Sequence, residues 1–264
     1  MTLAHLEKNR SLGSASMLVG KQRLLGVFVV DAGANGAWTE DSRARVEHQL
    51  ASALRWLESQ AAAHNVALEF EHACAPAEAS ACTCSTRIDE QDPASGPHHS
   101  GWQNQVVTDL LGASNSVSSA WNSLFERNGL GTPVTAGRSV LFFVRRWHPS
   151  IAFPFHRGAH PDFEKERGII YDMGGLQDGQ PHLDSQIAHE ILHLYGAIDL
   201  AEEKLPAETP ELRRAILANT APQEVMNKPT QAPIASYLVG DLTSYLVGWL
   251  DRPPNWLLAS MASA

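Results

Sequence analysis

The sequence predicts an α+β fold with an α/β-like N-terminal part and a mainly helical C-terminal part. Three observations point that way. Residues 24–30 (LLGVFVV) form a continuous apolar run, residues 39–64 are amphipathic at helical spacing, and residues 66–72 alternate. Strand, helix and strand in that order favour a parallel pair joined by a crossover. Apolar runs at 139–145 and 168–172 add strands, and helical spacing dominates at 184–199 and 234–249.

In chain order, residues 1–20 are polar and aperiodic and are expected to form a loose arm. The rest, 21–264, reads as one domain. Its upper lobe spans 21–196, with an insertion at about 73–130, and its lower lobe spans 197–264. The run at 24–30 suits a buried strand, and the glycine-rich loop after Asp31 ends it. Thr39 or Asp41 is the expected cap of a helix that buries Val46, Leu50, Leu54 and Leu57. Residues 73–101 hold all three cysteines and read as a long, partly flexible surface insertion. Helical signals return at 102–127 and stop at Asn128-Gly129. Residues 151–155 suit a short strand, and Asp184 is the expected N-cap of the next helix. A short helix is expected at 210–217. Ile234, Tyr237, Leu238, Leu242, Tyr245, Leu246 and Trp249 form one stripe, which predicts a single helix over 234–249.

Composition narrows the function. The 264 residues are 44% hydrophobic with a formal net charge of -9. No basic block offsets that charge, so neither nucleic acid nor an anionic membrane is expected as a partner. No run of apolar residues is long enough to span a bilayer. Glu7, Lys8, Asn9 and Arg10 interrupt any signal-like core, so the expected location is cytoplasmic, or secreted if a signal segment has been removed. Cys74, Cys82 and Cys84 are odd in number and clustered, unlike a disulfide framework.

The chemistry concentrates at 184–199, DSQIAHEILHLYGAID. His189 and His193 are four apart, so a helix places both imidazoles on one face, where they can share a metal ion. Glu190 lies beside them and can act as general base towards water activated by that ion. Gly196 can leave the helix in a left-handed conformation, and Asp199 can return as third ligand. The helix is too apolar for a solvated surface role, and buried histidines and a buried glutamate demand partners. The expectation is a zinc-dependent endopeptidase with one catalytic zinc ion. An Asp ligand lowers the net charge of such a site relative to three histidines, so its water is less acidic and a neutral to mildly alkaline optimum is expected. Two alternatives stay open: a zinc-containing module that binds extended peptides without cleaving them, and a gluzincin-type site with Glu202 or Glu203 as third ligand.

These residues resemble the metzincin metallopeptidases, whose extended motif HExxHxxGxxH is matched by His189, Glu190, His193, Gly196 and Asp199. The Asp ending is similar to the snapalysin-type variant. Met226, in EVMN, resembles the methionine turn that lies below the metal in that family. The resemblance implies a mixed, mostly parallel sheet of about five strands above a cleft. It also implies a C-terminal helix, and an edge strand that binds an extended protein or peptide substrate by backbone pairing. Residues 151–155 are the candidate edge strand. No tyrosine stands two residues after Met226, so the tyrosine helper of some metzincins is absent there.

Other polar clusters read more simply. His148, His156, His160, Asp162, Asp178 and His182 lack the spacing of a structural zinc site and are taken as loop residues. Cys74, Cys82 and Cys84 with His72 can in principle hold a second metal, but reduced thiols fit better. Trp102, Trp121, Trp147, Trp249 and Trp256 suit packing. A peptidase among host proteins needs restraint, so a regulatory protein partner is a further expectation, with 73–130 as its candidate surface.

Overall fold

A computed structural model describes residues 6, 10, 17–31, 37–76, 85–86, 100–111, 117–131, 137–145, 148–153, 166–172, 182–205, 210–227, 229 and 232–262. Its centre is a mostly parallel sheet. β1 (Gly20–Asp31) lies between β2 (Leu68–Ala75) and β4 (Gly137–Val144), parallel to both. β6 (Glu166–Tyr171) continues the sheet in parallel beyond β4, and β5 (Ile151–Phe153) closes it as an antiparallel edge. The path is therefore β2-β1-β4-β6-β5, with the two-residue β3 (Ser85–Thr86) pairing the end of β1.

Both faces of the sheet are covered, which is why its central strands are apolar without alternation. Leu24, Phe28, Leu141, Phe143 and Ile170 point into one core, shared with helices α1 (Glu40–Ala63) and α4 (Leu183–Leu194). Leu25, Val27, Val29, Val140, Phe142, Val144, Ile169 and Tyr171 point into a second core. That core is closed by α2 (Ser100–Leu111) and α3 (Val117–Arg127) through Trp102, Val106, Val107, Trp121, Leu124 and Phe125. Much of the expected insertion at 73–130 is thus a structural layer of the domain. Its two tryptophans stand edge-on to Phe142, at 5.1 and 5.9 Å between ring centroids. At the C-terminal end of the sheet, buried Asp172 accepts from Arg45 of α1 and pairs with Arg145 after β4.

α1 begins as expected. The Thr39 side chain accepts from Ser42 N while Ser42 accepts from Thr39 N, a reciprocal cap. It ends in a turn with Asn65 left-handed, where Asn65 N donates to Ala62 O and Val66 N to Ala61 O. The same pair of bonds closes α3 around Gly129.

Elsewhere the structure departs from the expectations. Within the stretch read as a loose arm, Leu6 and Leu18 are fully buried, Arg10 sits over the Tyr245 ring, and Leu18 exchanges hydrogen bonds with Val247 and Trp249. Asp184 is not the N-cap of α4. That position is His182, without a side-chain cap bond, and Asp184 lies in the first turn, where its carboxylate accepts from Ser185 N.

The single helix expected at 234–249 is instead a 3-10 turn (Ile234–Ser236), an extended segment and a six-residue helix. The reason is tertiary. Leu238 pairs with Glu224, with Val225 N donating to Leu238 O and Leu238 N to Gln223 O. A Cβ at Gly240 would run into the Glu224 carboxylate, which would have to move away from its present partners. Val239, off the predicted stripe, is buried, and Leu238, on it, is half-exposed. The C-terminal part thus comprises α5 (Pro210–Asn219), α6 (Asp241–Leu246) and α7 (Asn255–Ala262). No helix among the described residues is long and apolar enough to cross a membrane.

Candidate metal centre

α4 buries Leu183, Ile187, Ala188, Ile191, Leu192 and Leu194 against the inner core, which fixes its rotation. His189 and His193 then emerge on consecutive turns of one face, with their rings perpendicular at 88° and 4.5 Å between centroids. The helix stops in the same two-bond turn that closes α1 and α3. Gly196, at φ +98, donates to His193 O, and Ala197 N donates to Leu192 O. The reversal brings Asp199 back beneath the two rings.

The result is a tight group of donor atoms. His189 Nε2 and His193 Nε2 are 3.0 Å apart, and Asp199 Oδ1 lies 3.3 Å from the first and 3.4 Å from the second. A tetrahedral site with bonds of about 2.0–2.1 Å has edges of about 3.3–3.4 Å. The two edges to Asp199 have that length, and the edge between the two histidines, at 3.0 Å, is shorter.

The other ring nitrogens establish what these atoms carry. His189 Nδ1 is 3.1 Å from Val225 O, and His193 Nδ1 is 2.8 Å from Ala197 O. A carbonyl only accepts, so both Nδ1 atoms donate, and each ring in its neutral form presents its lone pair at Nε2. Two lone pairs and a carboxylate oxygen facing one another call for a cation between them. Among the described residues, this is the one group of His, Cys, Asp or Glu side chains able to hold a metal ion.

The charges agree. Burial works against ionisation of Asp199, but the two histidines outweigh it and hold its carboxyl far below the usual carboxylate range. Burial likewise opposes charge on His193, yet hydrogen bonding to Asp199 and the nearby Glu190 carboxylate favour the charged ring. A proton and a metal ion thus compete for the same Nε2 lone pairs. Glu190 is buried, and burial raises its pKa, with Asp199 adding to the rise and the histidines opposing it. A carboxylate made more basic in this way suits proton abstraction.

Met226 is fully buried in the core that packs the metal helix, and the segment around it holds the site through backbone hydrogen bonds as well. Val225 O orients His189, while Met226 O accepts from Leu200 N at 2.9 Å and so fixes the chain next to Asp199. Buried Glu224 anchors that segment, accepting from Gly240 N and from Thr243 Oγ1. Val225, Ala197 and Glu224 were not singled out in the sequence. Carbonyls are present at every position and carry no residue signal, whereas a glutamate beside Val-Met in an apolar context was a signal that could have been read.

The remaining candidates lie apart. Glu202 is exposed and paired with Arg213, and neither Glu202 nor Glu203 joins the ligand group. His148 donates through Nδ1 to Pro149 O and rests edge-on against Tyr171. His156, His160, Asp162, Asp178, Cys82 and Cys84 lie outside the described residues. Cys74 is a free, half-buried thiol whose pKa burial pushes up to about 12, so it is unreactive. Tyr195 is a core residue whose hydroxyl donates to Gln22. No protein-family model matches the chain, and no curated protein matches it.

Proposed function

We propose that the chain is a zinc-dependent endopeptidase of the metzincin type with an Asp third ligand. The observation that carries this reading is the convergence of His189 Nε2, His193 Nε2 and Asp199 Oδ1 to within 3.4 Å of one another, with Glu190 next to His189 on the same helix. The order and directions of the strands, with one antiparallel edge, agree with the mixed sheet that the resemblance implies.

His189, His193 and Asp199 would hold the ion and leave its fourth position open. Bound there, zinc supplies Lewis acidity, which makes water a nucleophile at neutral pH and polarises the scissile carbonyl. Glu190 accepts the proton of the attacking water and returns it to the departing amide nitrogen. Val225 O and Ala197 O keep the two imidazoles in the tautomer that leaves Nε2 free. β5, at the edge of the sheet, offers backbone groups for an extended peptide.

The test combines metal analysis of the purified protein with terminal mapping of cleavage products, in the native chain and in Glu190→Gln. About one zinc per chain is expected, with cleavage lost in the variant while zinc is retained. Equal cleavage by both proteins would remove Glu190 from the mechanism. Peptide binding without cleavage by the native chain would instead favour a recognition module.

A further inference from the structure

The metal helix packs against the edge strand, and one side chain adds a hydrogen bond to the start of that strand. Gln186 lies one turn before Glu190 on α4 and is almost completely buried. Its Nε2 donates to Ser150 Oγ at 2.7 Å. Ser150 immediately precedes β5, and its hydroxyl also accepts from Tyr171 N, at 3.1 Å, at the end of β6. The hydroxyl therefore joins three elements: the helix that carries the ligands, the last parallel strand and the edge strand.

β5 is short, and apolar packing of Ala152 on one face and of Ile151 and Phe153 on the other holds it without fixing a direction. It spans three residues, all half-exposed, and among the described residues it pairs with β6 alone, matching Ile151 to Ile169, Ala152 to Gly168 and Phe153 to Arg167. Backbone pairing of this kind sets register along the strand but leaves the edge free to tilt about β6. The hydrogen bond from Gln186 adds a directional restraint that apolar packing lacks.

We propose that Gln186 is a positioning residue that sets the height of β5 over the metal helix. An extended peptide paired to β5 then presents its scissile carbonyl at the right distance from Glu190 and the ligand group. This inference rests on the peptidase reading, and it adds a residue outside the HExxH motif to the reaction geometry. Because the strand persists without that bond, substrate still pairs with it, but the carbonyl is displaced. Loss of Gln186 therefore lowers kcat and leaves KM nearly unchanged.

The test uses Gln186→Leu, Ser150→Ala and the double variant, each loaded with Co2+. Pseudocontact shifts of the Ala152 and Phe153 amides report their position relative to the metal without any need for turnover. Both single variants are expected to change these shifts in the same direction. The double variant should match Ser150→Ala, which already removes the Gln186 bond together with the one from Tyr171 N. With a peptide substrate, kcat should fall by about tenfold and KM by less than twofold either way. Shifts identical to the native chain, with only a lower melting temperature, would overturn the proposal and leave Gln186 a packing residue. If the native chain binds Co2+ but cleaves no peptide, the peptidase reading fails, while the shifts still decide whether Gln186 sets the strand. Ser150→Ala, near the surface, keeps the test decisive if Gln186→Leu does not fold.

Discussion

His189 and His193 stand on consecutive turns of one buried helix, whereas Asp199 reaches them from the far side of a turn, on a segment held by single backbone bonds. The first pair is placed by local geometry, since any helix puts residues four apart on one face. The third ligand depends on a left-handed glycine, on Leu200 N donating to Met226 O, and on the Glu224 anchor behind Met226. The difference teaches that two corners of the site are built by the helix and the third by tertiary contacts. Damage to the helix face should therefore remove metal outright, and damage to the turn should loosen it by degrees.

The largest effect is expected for His193→Ala. A zinc affinity of about 10–16 kcal/mol shared over three or four ligands assigns about 3–4 kcal/mol to each, so binding should weaken by some hundredfold to thousandfold. Competition with a chromogenic chelator would measure it, and a loss under tenfold would remove His193 from the ligand set.

Glu224 tests the other side. Burial raises its pKa from 4.5 to about 7. The unfolded chain releases this proton first, so the group's contribution to stability is complete below about pH 4.5 and is lost as the pH rises through 7. That swing reaches up to about 3 kcal/mol. Melting temperatures of the native chain should therefore fall between pH 5 and pH 8 more than those of Glu224→Gln. An equal fall in both would show that Glu224 is not the titrating anchor.

A smaller effect is expected at the turn. Gly196→Ala forces a side chain into the left-handed region, at a cost of about 1–2 kcal/mol. It also disturbs Ala197 O, which orients His193, so zinc should bind about 10–100-fold more weakly. Unchanged affinity in a folded variant would mean that the turn does not position the ligands. The smallest effect belongs to a cap far from the metal: Thr39→Ala should lower stability by about 1 kcal/mol in thermal or denaturant melts and leave zinc affinity unaltered.

The same division explains what could be read from the chain. β1, α1, β4 and α4 were legible because each has its own period or a continuous apolar run, and the ligand spacing within α4 is a helical property. The break at 237–240 was not, because helical spacing at Ile234, Tyr237 and Leu242 is equally produced by turns that bury alternate residues, and only the pairing with Glu224 decides between them. Residues 102–127 were read as helical, but the sheet face they cover was not apparent, since the strands beneath are apolar on both sides. At the site, His189, Glu190, His193, Gly196, Asp199 and Met226 were named from residue type and spacing. The carbonyls of Val225 and Ala197 and the Gln186–Ser150 bond depend on tertiary approach.

The central claim is that two imidazoles from one helix and one returning carboxylate bind a single zinc ion. An anomalous-difference map at the zinc edge, from crystals of the zinc-loaded protein, tests it most directly. The account predicts one strong peak within about 2.0–2.2 Å of His189 Nε2, His193 Nε2 and a carboxylate oxygen of Asp199. A peak coordinated by Glu202 or Glu203 in place of Asp199, or no peak between the two histidines, would contradict it.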